Sequence, residues 1–182
     1  MEIYRISTIY QNQNRGEISR KISKGGIREY ARLYYEIASN SDLPKDIRKK
    51  ALENAINGYL KHFDIFYSFY ILEEIITGKN HRIKDIYGND IKEYASFGLI
   101  EKLKNLYYEN FNNSPFLKME ILKILKEIKE NNSFPENARK KADNVYKELK
   151  LKFDNEVNEK YRDKEHLYNS IIKELELYGI KK

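Results

Sequence analysis

His62, His81 and His166 are the only imidazoles in the chain, and there is no Cys. None of the three stands in His-Glu-x-x-His spacing, and no Glu-x-x-His pair offers ligands for a di-iron bundle. His62-Phe63-Asp64 cannot put imidazole and carboxylate on one helical face. Glu73 and Glu74 are adjacent, about 100° apart on a helix. They read as the end of an aromatic core face rather than as an acid–base pair. Gly25-Gly26 lacks the flanks of a phosphate loop and reads as a helix stop. Gly-x-Ser-x-Gly, Walker and dinucleotide patterns are absent. Without Cys, disulfides, thiol catalysis and cysteine-ligated metals are excluded. These residues point away from an enzyme: no catalytic residue, no metal ligand and no cofactor is expected.

Binding is the chemistry left. Arg15, Arg20, Lys21, Lys24, Arg28 and Arg32 fall within 18 residues, against only Glu17 and Glu29. Such a cluster suits a phosphate backbone, and 16 tyrosines offer stacking surfaces. Against this, a pI near 9.1 is ordinary for a Lys-rich chain, and tyrosine at helix edges is ordinary amphipathic packing. No helix-turn-helix or zinc signature accompanies the basic run. The second candidate surface is aromatic. Phe66, Tyr67, Phe69 and Tyr70 give their segment more apolar sides than one neighbour covers. The segment is either central in the fold or an interface.

The elements that must carry these residues are helical. Hydrophobic residues make up 41% of the chain and charged residues 34%, while Gly (8) and Pro (3) are scarce. That balance fits helices with wide solvated faces and argues against a β fold with many tight turns. We expect an all-α fold of six or seven helices, as HEAT-like hairpin repeats or an irregular bundle. Residues 1–26 form a basic tail or short helix, and residues 27–182 a single all-helical domain. The most apolar stretch, Ile65 to Leu72, is eight residues, and a membrane span needs about 20. A cytoplasmic protein without membrane contact is expected. High Lys and Glu suit a thermophile, and we expect an archaeal source.

Hydrophobic spacing predicts a helix over 27–39 and a Pro44-started helix capped by Asp42 or Ser41. A Phe63–Thr77 helix follows, continuous with the previous one or separate from it. Beyond a polar connection with a turn at Gly88-Asn89-Asp90, helices are expected over 91–111, from Pro115, from a Ser133–Glu136 capping box to about Phe153, and over 164–178.

The chain repeats itself. Aligning Glu29–Lys61 on Glu120–Lys152 matches 11 of 33 positions. The densest block joins Glu36-Ile37, Asn40, Pro44 and Arg48-Lys49-Lys50-Ala51 to Glu127-Ile128, Asn131, Pro135 and Arg139-Lys140-Lys141-Ala142. It describes a helix, a short break and a proline-started helix: one helical hairpin, used twice. The pattern resembles HEAT and armadillo repeats, whose second helix also opens with Pro and carries an Arg a few residues on. It is still more similar to a small archaeal family of uncharacterised helical-hairpin proteins with Ile-Leu-x-Glu-Ile-x-x-Asn-x-x-x-Pro-x-x-x-Arg blocks, which Ile124 through Arg139 matches. The resemblance covers about 60 residues and implies a helical fold and no known chemistry.

On the Pro44 helix, Arg48 falls inside the apolar arc set by Ile47, Ala51, Ala55 and Tyr59. A charge there must be paired. Glu36–Arg48 and Glu127–Arg139 ion pairs closing each hairpin are one expectation. Arg48 snorkelling to water over its own stem is the other. The functional expectation is a non-catalytic protein-interaction or scaffold domain, meeting a protein partner or itself. The alternative is a nucleic-acid-binding protein using the basic N-terminal segment.

Overall fold

The computed structural model describes residues 27–109 and 114–180. Among them every regular element is helical, in seven α-helices and one 3-10 turn. The described residues fall into two compact units, one ending at Ile91 and the other starting at Lys92.

In the first unit, α1 (Ile27–Ser39) and α2 (Lys45–Lys61) form a hairpin, followed by α3 (Ser68–Thr77) and a 3-10 turn at His81–Ile83. α2 is the central element. It buries Ala51, Leu52, Ala55, Ile56, Tyr59 and Leu60, an arc wide enough for neighbours on two sides. Gly58 lets α1 close in: a Cβ there would lie 2.8 Å from the Ala31 Cβ. α3 ends at Gly78, whose φ of 71° suits glycine. The Gly78 N–H bonds to Ile75 O at 3.3 Å and the Lys79 N–H to Glu74 O at 3.1 Å.

Two expectations change here. Residues 44–77 are two helices, and the second begins at Ser68 rather than Phe63. Asp64 supplies the reason: its Oδ1 accepts the N–H groups of Phe66 (2.8 Å) and Tyr67 (2.9 Å), offering the backbone a turn in place of a helical ladder. The connection after α3 is also more ordered than a polar loop. Its 3-10 turn buries Ile83, and Ile86 follows it into the core.

The second unit holds most of α4 (Asn89–Tyr108), with α5 (Pro115–Glu130), α6 (Glu136–Lys160) and α7 (Glu165–Leu177). α5 and α6 form its hairpin. α6 buries Ala138, Ala142, Val145, Leu149, Phe153 and Val157 along one stripe and runs on through the charged 155–160 stretch, where Val157 keeps that stripe going. After α7 the chain turns at Gly179 (φ 63°) and buries Ile180.

The two hairpin turns share their closing bonds. Asn40 Oδ1 accepts the Asp42 N–H at 3.0 Å, and Asn131 Oδ1 accepts the Ser133 N–H at 2.9 Å. The Leu43 N–H reaches Asn40 O, and the Phe134 N–H reaches Asn131 O. Pro44 (φ −55°, ψ 143°) and Pro135 (φ −55°, ψ 144°) then start α2 and α6. Neither helix has a side-chain N-cap, so the expected Ser133–Glu136 capping box and the Ser41 or Asp42 cap do not form. The asparagine does the work instead, because its short amide closes an Asx turn before the helix begins.

Candidate functional site

Arg48 is 3% exposed, and every nitrogen of its guanidinium donates a hydrogen bond. Its Nε donates to Ala38 O at 3.0 Å, at the end of α1. Its Nη1 and Nη2 donate to the two Asp85 carboxylate oxygens at 2.9 and 3.0 Å, and Nη2 also donates to Arg82 O. Burial demanded a partner for this charge. The partner is Asp85, from the connection after α3, and not Glu36. Glu36 accepts from Arg32 at 2.6 Å on its own helix. The arginine therefore ties hairpin and connection together, a contact 37 residues distant that hairpin-local reasoning did not reach. Arg139 behaves differently from the expected Glu127–Arg139 pair: its Nη1 donates to Asn132 Oδ1 at 2.9 Å, and its Nε is buried with no acceptor.

The hydrogen bonds from Arg48 hold the Asp85 carboxyl below its ordinary pKa. A carboxylate lowered in this way stabilises the fold fully above its unfolded pKa, about 3.9. That contribution is lost as pH falls through the lower folded value. Asp85→Asn is expected to destabilise the protein at pH 7 and to cost progressively less below about pH 4. Urea unfolding of both proteins at pH 7 and pH 3 checks this; an equal loss at both would contradict the assignment.

The four aromatics of the α3 segment divide. Phe69 is 7% exposed and belongs to the core. Phe66 is 72% exposed, Tyr70 62% and Tyr67 40%. Tyr67 stands at the N-cap of α3, its ring 6.2 Å from that of the buried Tyr59. The Asp64 turn is what swings Phe66 and Tyr67 outward: it ends helical phase before α3 starts. The sequence held that signal in Asp64, two and three residues ahead of the N–H groups it accepts.

Beyond the aromatics, along the same helix, lies a polar cleft of about 990 Å³. It is lined by residues of α1, α3 and the 3-10 connection, among them Tyr35, Ser39, Glu74, Lys79, Asn80 and Arg82. A hydrogen-bonded chain crosses it. The Tyr35 hydroxyl donates to Glu74 Oε1 at 2.7 Å and accepts from Asn80 Nδ2 at 2.9 Å. The same Nδ2 donates to Ser39 Oγ at 3.1 Å, and Asn80 Oδ1 accepts the Arg82 N–H at 3.0 Å. Burial raises the Tyr35 phenol above its ordinary pKa, so it stays neutral and can donate to Glu74. Glu73 pairs with Lys79 at 3.4 Å. Glu73 and Glu74 are thus split between two partners rather than joined as an acid–base pair. Sequence reasoning missed the cleft, because its residues come from three elements with no common spacing.

Of the six basic residues proposed for nucleic acid, Arg15, Arg20, Lys21 and Lys24 lie outside the described residues, as does the side chain of Arg28. Arg32 is described, and two carboxylates neutralise it: Glu29 at 2.6 Å and Glu36 at 2.6 Å. Its guanidinium is held fully charged, first by its bond to Glu29. Among the described residues no helix is long and apolar enough to cross a membrane. Comparison with protein-family models, with curated proteins and with solved structures returns no match.

Proposed function

We propose that this protein is a non-catalytic interaction module and that its contact surface is the aromatic edge of the α3 segment. The observation that carries the reading is the outward placement of Phe66, Tyr67 and Tyr70 beside a core that already holds Phe69, Leu72, Ile75 and Ile76. Folding of the first unit does not need these rings inside. Large aromatics exposed together supply anchor area at low entropic cost, which is the usual composition of a binding hot spot. Within the first unit the α1–α2 hairpin packs independently of Phe66 and Tyr70. The neutralisation of Arg32 favours a protein ligand over a phosphate backbone at this face.

Selection of a displayed random-peptide library on the full chain tests this. Peptides retained by the wild type should be released by the double variant Phe66→Ser, Tyr70→Ser. A pool held equally by both proteins would overturn the reading. So would retention of a DNA duplex or single strand, in place of peptide, with affinity falling steeply between two salt concentrations.

A further inference from the structure

The aromatic edge lies at the start of α3, where Phe66 and Tyr67 precede the helix and Tyr70 stands in its first turn, and Glu74 of the same helix lines the polar cleft. Tyr67 and Glu74 are seven residues apart, two turns of α3, and so lie almost in line about 10 Å from each other along the axis. Tyr70 sits between them, a little to one side. Glu74 is held in the cleft by Tyr35 of α1. A strip therefore runs from the exposed rings at the start of α3 to the polar hollow along the helix.

The charges in the hollow are not equally committed. Glu36 is bonded by Arg32, Glu74 by Tyr35, and Glu73 by Lys79. Arg82 is exposed, and its guanidinium has no carboxylate partner among the described residues, although its backbone N–H and carbonyl are both bonded, to Asn80 and Arg48. The backbone of Arg82 is thus fixed at two points while its charge is left to a ligand. His81, also exposed, stands next to it. Of the charged side chains lining the hollow, Glu36, Glu74 and Lys79 are each committed to a partner, and Arg82 is a cation with no carboxylate against it among the described residues.

We infer that the partner is an extended peptide segment that lays apolar side chains on Phe66, Tyr67 and Tyr70 and sets an Asp or Glu carboxylate against Arg82. The inference rests on the proposed function and names its ligand. Arginine presents a planar fork that takes a carboxylate through two N–H groups, as Arg48 does with Asp85 a few residues away. The roughly 10 Å from Tyr67 to Glu74, which lines the hollow together with Arg82, corresponds to about three residues of extended chain at about 3.3 Å each. Adding side-chain reach, the acid should stand about three to five positions from the apolar anchor.

The test uses the full chain and a displayed library of random nine-residue peptides. Sequences enriched on the wild type should carry an acidic residue about three to five positions from an aromatic or aliphatic one. Synthetic copies should bind Arg82→Glu at least tenfold more weakly, and replacing their acid by the amide should weaken binding to the wild type by a similar factor. Arg82→Glu leaves both backbone bonds in place, and an unchanged far-ultraviolet spectrum and melting midpoint confirm that it folds. Peptides that depend on Phe66 and Tyr70 but show no acidic preference, or that ignore Arg82→Glu, would overturn the inference and leave the aromatic edge standing. Peptides indifferent to Phe66 and Tyr70, or no enrichment at all, would overturn both.

Discussion

Replacing Arg48 by Ala is expected to cost about 3 kcal/mol of unfolding free energy, while Arg139→Ala costs below about 1 kcal/mol. The two arginines occupy equivalent places in the repeated hairpin, each four positions after the proline of a matching Asn-to-Pro turn, so the second serves as an internal control for the first. Removing Arg48 deletes donors to Ala38 O, Arg82 O and both Asp85 oxygens at once. Two backbone carbonyls then lose a donor, that of Ala38 at a buried place and that of Arg82 at a partly buried one. Breaking a buried ion pair costs about 3–5 kcal/mol. Asp85 is 40% exposed, so water compensates part of the loss and the lower end applies. Arg139 donates to one amide oxygen and carries an unsatisfied Nε, so its removal also relieves a cost. For a chain of this length the Arg48 variant should melt roughly 6–12 °C lower. Urea unfolding of the two alanine variants checks the contrast. Equal losses would mean that the contact with Asp85 contributes little.

Gly58→Val is expected to destabilise the first unit by about 2–3 kcal/mol. A Cβ at this position would stand 2.8 Å from the Ala31 Cβ and 3.3 Å from the Ala31 Cα. Neither atom can rotate away, so α1 and α2 must separate along their whole contact. Valine also resists helix more than alanine does. Gly58→Ala meets the same clash with fewer atoms and recovers about 1 kcal/mol of helix propensity, so its loss should be smaller. The equivalent pair in the second hairpin is Leu122 and Leu149, both fully buried. The hairpins thus differ at this position as well as at the arginine: glycine and alanine let two backbones approach closely where the second hairpin carries two buried leucines. A Gly58→Val protein as stable as the wild type would show that α1 moves freely.

The helices were legible because their apolar residues recur at three- and four-residue spacing, and the repeat was legible because Asn, Pro and Arg fall at one offset. Arg48 inside an apolar arc left two outcomes open, a paired charge or one snorkelling to water, and it is the pairing that occurs, with Asp85 in place of Glu36. What spacing could not give was the identity of its partner, since Asp85 arrives from a segment with no periodic signal of its own. The same limit hid the polar cleft, which Tyr35, Glu74 and Asn80 build from three separate elements. Local competition misled elsewhere. Asp64 draws two N–H groups into a turn and delays α3 by five residues relative to the apolar pattern. Asn131 closes the second hairpin turn where Ser133 and Glu136 matched a capping box on paper. In each case a short polar side chain bonded its nearby backbone first, and the aromatic edge is a consequence: with helical phase broken at Asp64, Phe66 and Tyr67 face outward while Phe69 turns in.

The double variant Phe66→Ser, Tyr70→Ser separates a binding edge from a core face most directly. Its unfolding free energy in urea should stay within about 0.5 kcal/mol of the wild type. Its affinity for peptides selected on the wild type should fall at least tenfold. A loss of more than about 2 kcal/mol in stability would place these rings in a core, and unchanged affinity would show that the edge does not bind; either result would contradict the account.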